Sequence, residues 1–271
     1  MGDEDIRRHN VSFIETLCKS ALSKSGIYGI DYSLNPYFGC EHSCIYCYVP
    51  RMLPSKLKGR AWGSFVEVKT NIPKILAKEL RSISSGRVLI SSITDSYQPI
   101  EQQYQLTRRC IELLAKKNFE VIVLTKSTLF TRDLDVMNKE RFELGVTVTT
   151  LNAYRELEPN SPPPLMRLQA LKEASENGFK TFIFLGPLIP GIVDDELQEI
   201  LELAYNSNVK YVIVDKLNTK GDVTQAIAKA LNRDQMEKFM KAMSNKSWIY
   251  EIKEKIIETC NKLHIPYDFC F

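Results

Sequence analysis

The segment Asn35-Pro-Tyr-Phe-Gly-Cys40-Glu-His-Ser-Cys44-Ile-Tyr-Cys47-Tyr48 places three thiols within eight residues. One metal centre can collect all three from a single loop, and thiolates are the ligands that iron–sulfur clusters favour. Three cysteines on a four-iron cube leave one iron without a protein ligand, and such an open position can bind and activate a small molecule. A structural cluster or a zinc site is normally closed by a fourth ligand.

The motif alone leaves other uses of these thiols open. Zinc could be bound by the three cysteines together with His42 or a distant residue. Cys44 and Cys47 could form a redox dithiol, or the thiols could be buried and inert. No second thiol pair stands at zinc-ribbon spacing, and the other cysteines are isolated: Cys18, Cys110, Cys260 and Cys270. Cys18 and Cys110 are expected to pack on apolar helix faces.

Beyond this loop, apolar β-prone runs alternate with helical patterns. The runs are at 88–93, 121–125, 144–149, 180–185 and 211–214, and the helical patterns are at 72–83, 106–117, 165–176 and 195–207. With a first strand near 33–38, the pattern predicts six strand–helix units and an α/β fold with a parallel sheet buried on both faces. Periodicity does not separate a partial barrel from a doubly wound open sheet.

The remaining segments are assigned around this core. We expect an N-terminal arm at 1–27, a barrel or sheet unit at 28–220, and a C-terminal helix and tail packed on it at 221–271. An irregular loop is predicted at 49–60, a long helix at 233–263, and a short tail at 265–271.

The composition of the chain argues against several classes of protein. The chain has 271 residues with 36 basic and 33 acidic side chains, so its net charge of +3 is far below that of a nucleic-acid binder recognised by charge alone. Seven cysteines without an even framework and the absence of a signal sequence predict a cytoplasmic protein. No stretch approaches the roughly 20 apolar residues of a membrane helix.

A set of motifs, taken in their order along the chain, then resembles one branch of the radical S-adenosylmethionine (SAM) superfamily. The pattern CxxxCxxC with Tyr46 before its last cysteine resembles the superfamily signature, and the wider set is similar to the spore photoproduct lyase-like family, also called DNA repair photolyases. The segments are NPYFGCEHSCIYCY at 35–48, ITDSYQPIE at 93–101, LTKS at 124–127, RDLD at 132–135, TVTTL at 147–151, LEPNSPPPLMRL at 157–168 and GPLIPGIVDDE at 186–196. The resemblance implies an incomplete (β/α)6 TIM-like barrel with a C-terminal helical extension, and a [4Fe–4S] cluster on Cys40, Cys44 and Cys47 whose open iron is chelated by S-adenosylmethionine.

The resemblance also implies roles in binding the cofactor. Tyr46 would lie against the adenine, since an aromatic face offers apolar contact to a base. Thr94 and Asp95, at the end of the second strand, would hydrogen-bond the methionine amino group. Lys126, at the end of the third strand, would face the methionine carboxylate.

Two further strand ends complete the expected cofactor site. Thr147 and Thr149 alternate onto one face of the fourth strand, where family members place hydroxyls near the ribose. Gly186 and Gly191 resemble the family's loop beside the adenine, because glycine lets the backbone approach a ligand closely. The plain alternative is a strand-to-helix turn with Asp194 as N-cap.

By the same resemblance, a reducing partner such as a flavodoxin or ferredoxin would supply an electron, and cleavage of S-adenosylmethionine would give a radical that abstracts hydrogen from a substrate. Tyr46 and Tyr48 flank Cys47 where spore photoproduct lyases place a tyrosine for radical return. Those lyases carry a hydrogen-donating cysteine where this chain has Ile93, so Cys260 or, better, Cys270 would have to serve.

These observations support three hypotheses. The leading one is a radical SAM enzyme that acts on DNA or RNA, such as a lyase-like repair enzyme. A basic loop with an aromatic side chain would suit that substrate, although a solvated loop is the commoner use of such residues: Lys56, Lys58, Arg60 and Trp62. The same radical could instead modify a protein or a small metabolite, or the chain could be a non-catalytic zinc- or cluster-binding regulator.

Overall fold

The computed structural model describes residues 11–52 and 59–271. Its strands are β1 (Ser12–Thr16), β2 (Leu22–Lys24), β3 (Tyr32–Leu34), β4 (Tyr37–Phe38), β5 (Phe65–Lys69), β6 (Ser85–Ile90), β7 (Asn118–Thr125), β8 (Phe142–Val148), β9 (Lys180–Leu188), β10 (Tyr211–Lys216) and β11 (Tyr267–Phe269). Its α-helices are α1 (Ile72–Glu79), α2 (Glu101–Tyr104), α3 (Leu106–Ala115), α4 (Tyr154–Leu157), α5 (Pro164–Glu176), α6 (Leu197–Asn206), α7 (Val223–Ala230), α8 (Arg233–Ser244) and α9 (Trp248–Lys262). Two 3-10 helices lie at Val49–Met52 and Leu129–Val136.

The central sheet has the strand order β11-β10-β9-β8-β7-β6-β3-β2. All neighbours are parallel except β2 and β3, so helical crossovers connect most of the strands. The sheet ends at β2 on one side and β11 on the other, which makes it an incomplete barrel. The predicted α/β fold with a mostly parallel sheet is confirmed.

The two faces of the sheet carry different layers. Val121, Val123 and Val146 are among the residues that pack with the helices in the large outer core. The intervening residues point to the inner face, where Ile122 and Phe182 belong to a separate apolar cluster. This division follows from the alternation of side chains along a strand.

A second, small sheet was not predicted. It has the order β1-β5-β4, with β1 parallel to β5 and β4 antiparallel to it. The predicted N-terminal arm therefore contains a strand, Ser12–Thr16, and the chain after the cysteines returns as Phe65–Lys69 to pair with it. Of the predicted loop at 49–60, residues 53–58 lie outside the described part of the chain.

The C-terminal prediction needs a correction. The single helix predicted at 233–263 is two helices, because Asn245 accepts hydrogen bonds from the Ser247 amide (3.0 Å) and hydroxyl (2.8 Å) and so competes with the helical pattern. The tail forms β11, which pairs in parallel with β10 and widens the sheet. Among the described helices, none is long and apolar enough to cross a membrane.

Candidate functional site

The three motif cysteines lie on the loop that follows β4, near the carboxyl ends of the parallel strands. Cys40 is buried, Cys44 and Cys47 are half-buried, and all three are free thiols. Burial and, after it, the neighbouring Cys44 raise the pKa of Cys47 to about 12. Burial also raises the pKa of Cys40, with added contributions from Asp95 and the other two thiols. The three sulfurs thus share one electrostatic environment, in which a bound cation would favour the thiolate forms.

Hydrogen bonds from the 93–101 segment hold this loop in place. The Glu41 amide donates to Gln98 Oε1 (2.8 Å), and the Glu41 carboxylate accepts from the Ile100 amide (2.7 Å). Asn160 Nδ2 donates to the Glu41 carbonyl (2.8 Å). Thr94, expected at the methionine amino group, donates its hydroxyl to the Gly39 carbonyl (2.6 Å). In this structure Thr94 therefore serves to fix the loop.

Asp95 is likewise engaged within the protein. Its carboxylate lies 3.3 Å from His42 Nδ1 and accepts hydrogen bonds from the Thr125 hydroxyl (2.7 Å) and the Lys126 amide (2.8 Å). Burial alone would raise the pKa of Asp95, but His42 and these donors outweigh it and hold the pKa well below its usual range. Asp95 thus joins the cysteine loop to the end of β7.

The donor set of the loop fits a cluster with an open iron. Three thiols stand on one loop, and Cys44 and Cys47 are close enough to Cys40 to contribute to its raised pKa. A zinc ion would need a fourth ligand, and His42, the candidate on the same loop, faces Asp95 instead. Three thiols are the protein donors of a four-iron cube with one open position.

Behind the loop, Tyr46 belongs to a buried polar network. Its hydroxyl contacts Thr149 Oγ1 (3.0 Å) and donates to the Glu158 carboxylate, which also pairs with Arg167. The Tyr46 side chain is buried, and Lys126 Nζ lies 5.5 Å from its ring centroid. Arg167 also donates to the carbonyl of Thr147 (3.0 Å). Sequence reasoning gave Glu158 and Arg167 no role, although both lie in the LEPNSPPPLMRL segment that carried part of the resemblance.

The expected hydroxyls of β8 and the glycines after β9 are only partly free for a ligand. Thr147 and Thr149 are both buried, and Thr149 Oγ1 donates to the Gly186 carbonyl (2.8 Å). At Gly191 (φ +73°), a Cβ atom would stand 2.4 Å from the Lys238 carbonyl oxygen, so α8 rather than a ligand explains this glycine. Asp194 is not the N-cap of α6, which is Glu196; Asp194 accepts instead from the Gly191 amide (2.8 Å).

The residues considered for radical transfer differ in their surroundings. Tyr48 is exposed and donates to the Ser92 carbonyl (2.6 Å). Cys260 is packed in the core on α9, and burial raises its pKa to about 11. Cys270 is exposed just after β11, where its amide donates to the Val214 carbonyl (2.9 Å). Of the two distant cysteines, only Cys270 lies at the edge of the sheet that carries the site.

Of the residues expected to form a basic loop, Lys56 and Lys58 lie outside the described residues. Trp62 packs edge-on against Phe65 with ring centroids 6.3 Å apart, and its carbonyl accepts from the Ser43 hydroxyl (3.1 Å). Arg60 lies 5.7 Å from the Phe65 ring. These contacts use Trp62 to support the cysteine loop.

Comparisons with known proteins agree with this architecture. The family model described as the radical SAM superfamily matches residues 34–204. An uncharacterised protein of Methanocaldococcus jannaschii is 36% identical over 190 residues, covering 69% of this chain and 71% of the relative. An uncharacterised protein of Mycobacterium tuberculosis is 31% identical over 227 residues, covering 78% of this chain and 66% of the relative. The solved structure of a spore photoproduct lyase complexed with dinucleoside spore photoproduct has a TM-score of 0.73 at 14% identity, covering 96% of this chain and 82% of that one.

Proposed function

Because this chain belongs to the radical SAM superfamily, we propose that it cleaves S-adenosylmethionine reductively at a [4Fe–4S] cluster held by Cys40, Cys44 and Cys47. The bound cluster and S-adenosylmethionine together supply a 5′-deoxyadenosyl radical that abstracts a hydrogen atom from a substrate. The observation that carries the proposal is one loop that carries three free thiols within eight residues. Enzymes of this superfamily use this cluster and S-adenosylmethionine. We further propose which residues of this chain bind the cofactor and take part in the reaction.

Lys126 is the side chain best placed to hold the methionine carboxylate. It stands half-buried at the end of β7, beside Cys44 and Tyr46, and forms no ion pair within 4.0 Å among the described residues. A cation in a partly desolvated cleft binds a carboxylate strongly. Thr94 and Asp95 would support this contact indirectly, since both fix the cysteine loop against the strand ends.

Tyr48 is the better of the two tyrosines for a radical relay. It is exposed beside the last cluster cysteine, whereas the Tyr46 hydroxyl is buried and occupied by Glu158 and Thr149. We therefore assign Tyr46 to positioning the loop and Tyr48 to the reaction. Tyr48 would act only after an external reducing protein, such as a flavodoxin or ferredoxin, has delivered an electron.

A damaged base in DNA or RNA is the substrate that the sequence resemblance favours. Two observations weigh against true spore photoproduct reversal. Ile93 stands where those lyases carry a hydrogen-donating cysteine, and a hydrocarbon side chain cannot replace a thiol. Trp62 is half-buried against Phe65 rather than presented for base stacking. Nucleic acid is therefore one arm of the substrate test below.

Anaerobic reconstitution tests the proposal. We expect a brown protein with about four irons per chain that releases 5′-deoxyadenosine when reduced with dithionite in the presence of S-adenosylmethionine. Cys44→Ala should lose the iron and the product, whereas Cys18→Ala, a half-buried cysteine away from the loop, should keep both. A colourless protein with one zinc would end the proposal. Adding ultraviolet-damaged DNA or cellular RNA then asks whether nucleic acid raises the product yield.

A further inference from the structure

Asp215, just before the end of β10, is a half-buried acid whose one charged neighbour among the described residues, Lys216, acts on it only at a distance and forms no ion pair with it within 4.0 Å. Its Oδ1 accepts only the adjacent Lys216 amide (2.9 Å). None of the ion pairs formed within residues 11–52 and 59–271 includes it. The Lys216 ammonium lies instead 5.0 Å from the centre of the Phe271 ring. The buried acids Asp95 and Glu158 both have cationic or imidazole partners, so Asp215 differs from them.

The carboxylate lies on the inner face of the sheet. A Cβ atom placed on Gly186 would be 3.4 Å from Asp215 Cβ and 2.6 Å from the Phe184 ring, which brings these three residues together. Phe184 and Ile213 belong to the inner apolar cluster. The register between β9 and β10 shifts between Val214 and Lys216, and such irregularities commonly re-aim a side chain beside a site.

The inner face has an apolar middle layer and carries charged side chains near the amino ends of the strands. Leu89, Ile122 and Phe182 form its buried layer. Below them, Glu143 pairs with Arg87 (3.3 Å) and with Lys180 (3.1 Å). A ligand can therefore approach this face from the carboxyl ends of the strands, where it meets an apolar wall and the Asp215 carboxylate.

Asp215 also adjoins the expected cofactor site, because it lies beside Gly186, whose carbonyl accepts a hydrogen bond from Thr149 Oγ1 (2.8 Å). On its other side, the carbonyl of the preceding Val214 accepts a hydrogen bond from the Cys270 amide (2.9 Å). Asp215 thus lies between the end of β9 and the C-terminal tail.

We propose that Asp215 binds a protonated nitrogen carried on an apolar stem, and that this contact selects the substrate of the reaction proposed above, on which the inference rests. A partly desolvated carboxylate attracts an ammonium or guanidinium group, and the wall formed by Phe184 and Ile213 accommodates a hydrocarbon stem. The same carboxylate repels a phosphodiester. The chemistry could come from a peptide side chain or from a free amine.

The test uses the cluster-loaded protein with S-adenosylmethionine and four probes. Pentylamine represents a free amine, and N-acetyl-lysine methylamide represents a peptide unit with the same ammonium group. N-acetyl-norleucine methylamide has the stem without the charge, and thymidylyl-thymidine carries a phosphodiester. The first readout is the rate at which iodoacetamide alkylates Cys270 at pH 8, measured on its peptide by mass spectrometry without reductant. The second is 5′-deoxyadenosine release on reduction.

We expect at least one amine probe to slow Cys270 alkylation about tenfold and the norleucine probe to leave it unchanged. The comparison of pentylamine with the lysine probe identifies the source of the amine. Asp215→Asn should abolish this protection. Asp268→Asn is the matched control and should retain it, since Asp268 makes the same local bond, accepting from the Phe269 amide at 2.9 Å, but is exposed on the neighbouring strand.

Three outcomes overturn the inference: stronger protection by the dinucleotide than by both amines, unchanged protection in Asp215→Asn, or equal loss in Asp268→Asn. Failure of the proposed function is a separate result. It would show as no 5′-deoxyadenosine from the reduced wild-type protein, whereas the alkylation readout requires no turnover.

Discussion

Arg167 and Glu158 form a fully buried ion pair directly behind the cysteine loop. Burying two charges costs several kcal/mol per ion unless the remaining polar atoms are satisfied. Here Arg167 also donates to the carbonyls of Pro162 (2.7 Å) and Thr147 (3.0 Å), and Glu158 accepts from Tyr46. Burial alone would raise the pKa of Glu158, but Arg167 and Lys126 outweigh it and keep the carboxyl ionised. The pair therefore links β8, the 157–168 segment and the cysteine loop.

Replacing Arg167 should be strongly destabilising. Arg167→Met leaves the Glu158 charge buried without its partner, so the free energy of unfolding should fall by about 3–5 kcal/mol. Urea denaturation followed by circular dichroism measures this change. The control is Arg233→Met, which removes an exposed pair with Glu237 and should cost less than about 1 kcal/mol. Similar small losses in both variants would contradict the structural role of the buried pair.

The segment between β9 and α6 shows how a motif that resembles a ligand loop serves to dock helices. Gly191 adopts φ +73°, and the backbone of α8 lies where its side chain would be. Asp194 accepts from the Gly191 amide (2.8 Å) and from Trp248 Nε1 (2.7 Å), so one carboxylate connects the turn to α9. The C-terminal helices are thereby fastened to the strand end that borders the site.

A side chain at position 191 should weaken this docking. Gly191→Ala combines an unfavourable backbone conformation with a clash against Lys238, and we expect a loss of about 1–3 kcal/mol in the free energy of unfolding. Gly26→Ala is the control, because no atom lies within 4 Å of its added Cβ, and its effect should stay within about 0.5 kcal/mol. If both variants unfold at the same urea concentration, packing of α8 does not depend on the close contact between its backbone and Gly191.

Across the molecule, polar residues distant in sequence meet at one edge because the strands of the main sheet run parallel. Lys126 and Thr149 follow β7 and β8 of this sheet, and Gly186 and Asp215 lie near the carboxyl ends of β9 and β10. The cysteine loop reaches the same edge from β4 of the small sheet. The small β1-β5-β4 sheet and the C-terminal helices flank the same region. Cofactor binding should therefore stabilise the whole fold rather than one loop.

Removing the metal should abolish the stabilisation of the fold by S-adenosylmethionine. S-adenosylmethionine binds the native, cluster-loaded protein, so at a hundred times its Kd it should add about 2.7 kcal/mol to the stability and raise Tm. The chelated apoprotein and Cys44→Ala should show little or no shift. Differential scanning calorimetry under anaerobic conditions measures all three samples. An equal rise in the apoprotein would mean that the open iron is not the main anchor of S-adenosylmethionine.

Much of the main sheet was predictable because its signals are local. The apolar runs of β7, β8 and β9 and the periodic helices between them report burial on both faces, which depends on composition within a few residues. The spacing of the three cysteines likewise predicts a shared metal centre without any knowledge of the fold. By contrast, β1 and β5 are separated by about fifty residues, and neither five-residue segment shows that the other is its partner.

The amino-acid order therefore specified the parallel α/β core, the cysteine loop and the family, since each rests on short-range patterns of polarity and residue type. Only the tertiary structure decided how the polar residues are used. Thr94 and Asp95 bind the cysteine loop, Gly191 lies against α8, and Asp215 forms no ion pair with the described residues, because each outcome depends on which strands and helices are brought next to them. Hydrogen-bond partners and burial are properties of that packing, and they cannot be predicted from a residue's neighbours in the sequence.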